Sequence, residues 1–239
     1  MPRHDGRSPS DLRPVKITRG FTRSTPGSVL YESGRTKVLV TASVEDRVPP
    51  WMQGRGQGWL TAEYSMLPGA TPDRKQRAST SNRVDGRTYE IQRLIGRSLR
   101  SVLDAQALGE RTIWIDCDVL EADGGTRTAA INGAYLAVVD AIKGHKFGKP
   151  LQRWPIKEPV GAISVGIIGA TAVVDLDYAE DHDAAVDMNV VMTASGKFIE
   201  VQGTGEGRPF GGDELATLLG LAQGAIEQVL ARAKATLSA

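Results

Sequence analysis

The feature that most constrains this chain is an order of elements that occurs twice. In the first half, SVLYESGRTKVLVTASVE holds two β-rich runs around Ser33-Gly34-Arg35 and reads as a hairpin; GQGWLTAEYSML supplies a third strand. A helix is expected from about Tyr89 to Gln106, because Ile91, Leu94, Ile95, Leu99, Val102 and Leu103 recur at steps that make one apolar stripe. RTIWIDCDVL follows as a strand. Next comes a helix from Thr128 to Ile142, striped by Ile131, Ala134, Tyr135, Val138, Val139 and Ile142 and stopped by Lys143-Gly144. The second half repeats the order: VGAISVGIIGATAVVDLD turns at Gly169-Ala170, VDMNVVMTASGKFIEVQGT turns at Ser195-Gly196, and a helix from about Asp213 to Lys234 closes it. The expected outcome is an α/β (α+β) fold with antiparallel strands beneath helices, built on a duplicated β-α unit. No composition break marks a linker, so one domain over residues 1–239 is expected, with halves at about 15–145 and 158–239.

With 41% hydrophobic and 24% charged residues, a chain of 239 residues can bury a sizeable core. The net charge of +1 implies no polyanion partner for the molecule as a whole, so any basic site must be local. The single cysteine, Cys117, excludes an internal disulfide and reads as a small buried residue. His4, His145 and His182 are scattered without zinc-ligand spacing. The polar N-terminus has no signal-like apolar region, and no run is long enough to cross a bilayer; a cytoplasmic protein without a membrane partner is expected. Residues 1–26, with Arg3, Arg7, Arg13, Lys16, Arg19 and Arg23, read as a basic arm or a lead-in laid on the surface.

Three segments carry chemistry. In ADGGTRT, between a strand and a helix, Gly124 and Gly125 allow close backbone approach, Thr126 or Thr128 can cap, and Arg127 adds a forked cation. That combination suits phosphate at a helix N-terminus, although an ordinary glycine turn has the same spacing. Residues 73–100 hold eight basic residues against Asp73, Asp85 and Glu90, with Arg93, Arg97 and Arg100 on one helix face. This is either a solvated face or a track for a single-stranded polyanion, read by backbone because aromatics are sparse. Six acids fall within 175–187. The spacing is not an EF-hand; Asp187 shares a strand face with Asn189, and Asp181 sits in the loop before it. Two carboxylates at a strand mouth suit magnesium plus a substrate phosphate, and a solvated acidic turn is the alternative.

GSVLYESGRTKVLVTASVED, GRGQGWLTAEYSMLPGAT, GRTYEIQRLIGRSLR, LGERTIWIDCDVLEADGGTRTAAINGAY, VDMNVVMT and EVQGTGEGRPF together resemble the ribonuclease PH family, in order and over almost the full length. The resemblance implies a duplicated βαβα unit like ribosomal protein S5 domain 2. It implies removal of nucleotides from RNA 3′ ends, notably of tRNA, by inorganic phosphate, with release of nucleoside diphosphates and reverse addition. It also implies a homo-oligomer, a hexameric ring built as a trimer of dimers. Carried over by motif, phosphate falls on Arg87, Gly125, Thr126 and Arg127. The catalytic, metal-associated aspartates are Asp181 and Asp187, with magnesium or manganese as the ion, and the RNA-guiding arginines are Arg74 and Arg77. Arg93 and Arg97 extend that RNA track. The chain departs from the usual family pattern at Gly69, Ala78, Asp85 and His182.

Overall fold

The computed structural model describes residues 3–76 and 85–238. Arg77 and Ala78 lie outside the described residues. In chain order the elements are β1 (Val15–Arg19), β2 (Gly27–Ser33), β3 (Thr36–Glu45), a 3-10 turn (Pro50–Met52), β4 (Trp59–Met66), α1 (Gly86–Val102) and α2 (Ala105–Leu108). There follow β5 (Thr112–Glu121), α3 (Thr126–Gly144), β6 (Val160–Ile168), β7 (Thr171–Val174), α4 (Tyr178–Asp183), β8 (Val186–Thr193), β9 (Phe198–Thr204) and α5 (Gly212–Ser238). The strands make a five-stranded sheet, β1-β2-β3-β5-β4, and a four-stranded sheet, β7-β6-β8-β9. The mixed α/β class expected from the sequence is the one observed.

Both hairpins of the second half and the β2–β3 hairpin pair as the turn residues predict. One pairing differs from the antiparallel expectation: β4 runs parallel to β5, joined by the α1 crossover. Helix α1 starts at Gly86 because Asp85 caps it, accepting from the Thr88 amide at 2.6 Å. It stops at Val102, short of the expected Gln106; Asp104 opens a separate turn, α2, that ends on Gly109 at φ 66°. The expected stripe is the buried one, from Ile91 to Val102.

Helix α3 is not one-sided. Every residue from Ala129 to Ile142 is buried, since the helix packs on β2 and β3 of one sheet and on β6 of the other. Asn132 shows why a polar residue is tolerated there. Strand β7 pairs only with Val165–Ile168, leaving the earlier edge of β6 open. Asn132 closes that edge, accepting from the Ala162 amide at 2.8 Å and donating to the Ala162 carbonyl at 2.9 Å. Helix α5 covers β6, β7 and β8 with Leu218, Ala222, Ala225, Ile226 and Val229. Cys117 is buried in the core as expected, and burial pushes its thiol up.

The N-terminal segment is laid on the surface but is no free arm: Val15–Arg19 adds an edge strand, and Arg3 and Arg13 are buried. Arg3 Nε donates to Glu180 Oε1 at 2.6 Å, and its other nitrogens reach the Val174 and Asp175 carbonyls. Arg7 lies 3.2 Å from Glu180. Arg13 binds Asp175 at 2.7 Å through both its backbone amide and its guanidinium. The acids that receive these arginines lie over 160 residues away in sequence, which no local pattern can reveal. No helix among the described residues is long and apolar enough to cross a membrane.

Candidate active site

The turn before α3 is built by its neighbours. Thr36 Oγ1, fully buried, donates to the Gly124 carbonyl at 2.7 Å and accepts from the Asp123 amide at 2.9 Å. Gly124 has φ 72°, and a Cβ there would sit 2.5 Å from the Leu176 carbonyl. The close approach that requires this glycine is therefore the chain's own second half. Gly125, at φ 64°, is the N-cap, and no side chain caps the helix. This differs from the expected threonine cap. Thr128 Oγ1 donates to the Gly125 carbonyl at 2.9 Å, and Thr126 Oγ1 accepts from the Tyr64 hydroxyl at 2.9 Å. The amides of Thr126, Arg127 and Thr128 stay without an intrahelical acceptor and carry the positive end of the helix dipole.

The turn faces a cleft of about 750 Å³ that also takes in Arg87, Asp181 and Asp187. Arg87 reaches it from the first turn of α1. Arg127 is aimed by Gln202 of β9, whose Oε1 accepts at 2.9 Å, with Glu90 Oε1 3.6 Å away. In register across the second sheet, Ser164, Asn189 and Gln202 form one row, and Asp187 and Thr204 the next. Asp187 and Asn189 both line the cleft, as the strand alternation predicts.

Asp181 is not in a loop. It lies in α4, a short helix with a complete capping box: Asp177 accepts from the Glu180 amide and Glu180 from the Asp177 amide. The acidic run that looked repulsive is thus split. Asp175, Asp177 and Glu180 are buried against Arg3, Arg7, Arg13 and His4, while Asp181 and Asp187 remain for the cleft. His4, Asp177 and Glu180 cluster closely enough to suggest a metal site, but the two Glu180 oxygens already serve Arg3 and Arg7.

Burial raises both cleft carboxyls. For Asp181, Arg87 and Arg127 partly offset it. Asp187 is pushed up to about 6, first by burial and then by the negative charge of Asp181. Its Oδ1 is buried without a hydrogen-bond partner. An orphaned carboxylate oxygen beside a second carboxylate is a donor set that fits a hard divalent cation such as magnesium or manganese. Sequence reading missed Gln202, Thr36 and Tyr64, since polar residues in unremarkable runs give no signal of their partners. It also missed Glu206, whose charge acts on both aspartates.

The basic stretch is divided as well. Arg74 and Lys75 line the cleft with Arg87. Arg93 and Arg97 are exposed on α1 and do not line it, and Arg97 sits 3.4 Å from Glu200. Arg100 folds back onto Trp59, 4.9 Å from the ring centroid, and donates to the Leu60 carbonyl.

A polarised helix end, two arginines and a raised carboxylate pair thus meet in one cleft, on paired sheets about a central helix. The chain belongs to the 3′ exoribonuclease family: domain 1 of that family matches residues 11–143 and domain 2 residues 158–225. Its fold is similar to that of rice (Oryza sativa) Rrp46, with a TM-score of 0.80 at 19% identity over 98% of this chain and 100% of that one. It is also similar to a chain of the Archaeoglobus fulgidus exosome with RNA bound to the active site, with a TM-score of 0.82 at 19% identity over 96% and 92%. An archaeal exosome core chain matches at 0.75, with 18% identity over 97% and 91%.

Proposed function

We propose that the chain is a phosphate-dependent 3′-to-5′ exoribonuclease that trims RNA 3′ ends, tRNA precursors among them. It releases nucleoside diphosphates and runs in reverse as a nucleotidyltransferase. The observation that supports this reading is the shared cleft, in which Arg87, Arg127 and the α3 N-terminus face Asp181 and Asp187.

Inorganic phosphate would take the seat at Gly125, Thr126 and Arg127, with Arg87 opposite. One of its oxygens attacks the phosphorus of the terminal nucleotide, and the bond from that phosphorus to the preceding 3′ oxygen breaks. The nucleophile is an oxyanion from the start, so no histidine base is required. Each hydrogen bond to a charged group contributes about 1.5 to 3 kcal/mol, but the larger gain is holding two anions in line. Asp181 and Asp187 would hold magnesium or manganese, which when bound places positive charge against the scissile phosphoryl group. In place of holding the ion, Asp187, with its raised pKa, would give a proton to the departing 3′ oxygen. Arg74, and Arg77 beyond the described residues, would track the RNA backbone, while Arg93 and Arg97 would act only on chain outside the cleft. Assembly as a homo-hexameric ring, a trimer of dimers, and action in the cytoplasm accompany this reading.

The test is incubation of the protein with a 3′-extended tRNA, with and without phosphate. Nucleoside diphosphates appearing only with phosphate support the proposal. Monophosphates would indicate hydrolysis, and no product would indicate a silent subunit; either result overturns it.

A further inference from the structure

We infer that Tyr178, flanked by His182, is a stacking platform for the base of the RNA 3′-terminal nucleotide. The inference rests on the cleft being an RNA site. Among the described residues lining that cleft, Tyr178 is the only aromatic, and 59% of its surface is open to solvent. Its ring and that of His182 lie within 13° of parallel, with centroids 6.4 Å apart, so His182 flanks the ring and leaves its faces largely uncovered by that neighbour.

The position follows from the short helix. Tyr178 and Asp181 are three residues apart on α4, and Tyr178 and His182 four, so all three share one side of it. The helix itself is clamped by its capping box and by Arg3 and Arg7 on Glu180. A clamped helix fixes the backbone that carries the ring, which lessens the ordering that stacking requires. The cations of the cleft, Arg74, Lys75, Arg87 and Arg127, suit phosphates and not bases. A base emerging from that charged seat finds a π surface at Tyr178. Since every base has a π face, such a platform accepts all four nucleotides while requiring that a base be present.

The experiment reads binding of a 5′-labelled pentaribonucleotide by fluorescence anisotropy without phosphate, with either an intact or an abasic 3′-terminal nucleotide. The wild-type chain is expected to bind the base-bearing end roughly tenfold more tightly than the abasic one. Tyr178→Ala should bring the base-bearing end down to the abasic level and leave the abasic affinity in place. Tyr178→Phe should restore the difference, and His182→Ala should narrow it by about twofold. The inference is overturned if the wild-type chain does not distinguish the two ends, or if Tyr178→Ala weakens both equally. Because no phosphate is present, a base-dependent difference stands even if product analysis excludes phosphorolysis, so the two readings fail separately.

Discussion

Arg127, in the first turn of α3, donates to the side-chain carbonyl of Gln202 on β9 at 2.9 Å, joining the two halves of the chain at the cleft. The contact leaves the rest of the guanidinium available and sets its direction. Arg127→Ala should raise the KM for phosphate by roughly 10- to 100-fold, the worth of one charge-assisted bond, with RNA affinity changed far less. Gln202→Ala keeps the charge and loses only its aim, so a rise of a few fold is expected. Phosphate-titrated kinetics beside RNA binding check both; parallel loss of phosphate use and RNA binding contradicts the assignment.

The pKa of Asp187, about 6, makes a pH prediction. The folded value exceeds the ordinary carboxylate value of 3.8, so in the window between them the folded state holds a proton that the unfolded state has released. Metal-free stability therefore falls as pH rises through that window. Asp187→Asn removes the effect and should stabilise the metal-free protein by about 1 to 2 kcal/mol near neutral pH, after a discount for partial contact with water. Turnover should be abolished while RNA affinity is kept. Divalent-cation affinity of the wild-type chain should weaken below about pH 6, as protons compete for the carboxylate. Urea melts and metal titrations across pH test the sign; a variant that trims at the wild-type rate removes the metal role.

Gly124 and Gly169 both have positive φ, but only Gly124 is crowded, by Leu176 and Asp177; nothing lies within 4 Å of a Cβ at Gly169. Gly169→Ala should cost only the left-handed penalty of about 1 to 2 kcal/mol. Gly124→Ala should cost distinctly more and displace α4, and with it Asp181. Equal urea midpoints for the two variants would show that the loop 176–177 does not press on the turn.

Arg13 is the counter-ion of Asp175, which is 3% exposed and sits at φ 52°. Burial alone would raise that carboxyl, yet Arg13 holds it below the usual range. A depressed folded pKa contributes stability above the unfolded value, which is lost as pH falls through the folded one. Arg13→Ala strands a buried carboxylate and should cost about 3 to 5 kcal/mol at neutral pH, with the difference from wild type shrinking in strong acid. A loss under about 1 kcal/mol by denaturant titration would mean that Arg7 replaces it.

RNA affinity should fall with salt by about 0.7 log units per log unit for each phosphate neutralised. Arg74→Ala should lower that slope by about one phosphate's share, and Arg93→Ala should leave it nearly unchanged, since Arg93 lies outside the cleft. Slopes from anisotropy titrations at several salt concentrations decide between them.

Much of this was legible from residue order. The stripe of α1, the hairpin turns at Gly34, Gly169 and Gly196, and the pairing of Asp187 with Asn189 on one face all follow from local periodicity. The motif resemblance pointed to Arg87, Arg127, Asp181 and Asp187, and the fold brings all four to one cleft. Less legible were the buried arginines of the N-terminal segment, since a run of basic residues looks the same whether water or a distant carboxylate receives it.

The sequence by itself determined most of the elements, β1 and α4 excepted, and the residue types at the cleft, because helix and strand periods and turn preferences act over a few neighbouring residues. Tertiary structure alone decided which charges are spent on the fold and which are left for a ligand. Arg3 and Arg13 go to Glu180 and Asp175, whereas Arg87, Arg127, Asp181 and Asp187 stay at the opening. The reason is physical: a charge's worth is set by burial and by partners within a few ångströms, and those partners come from the other half of the chain.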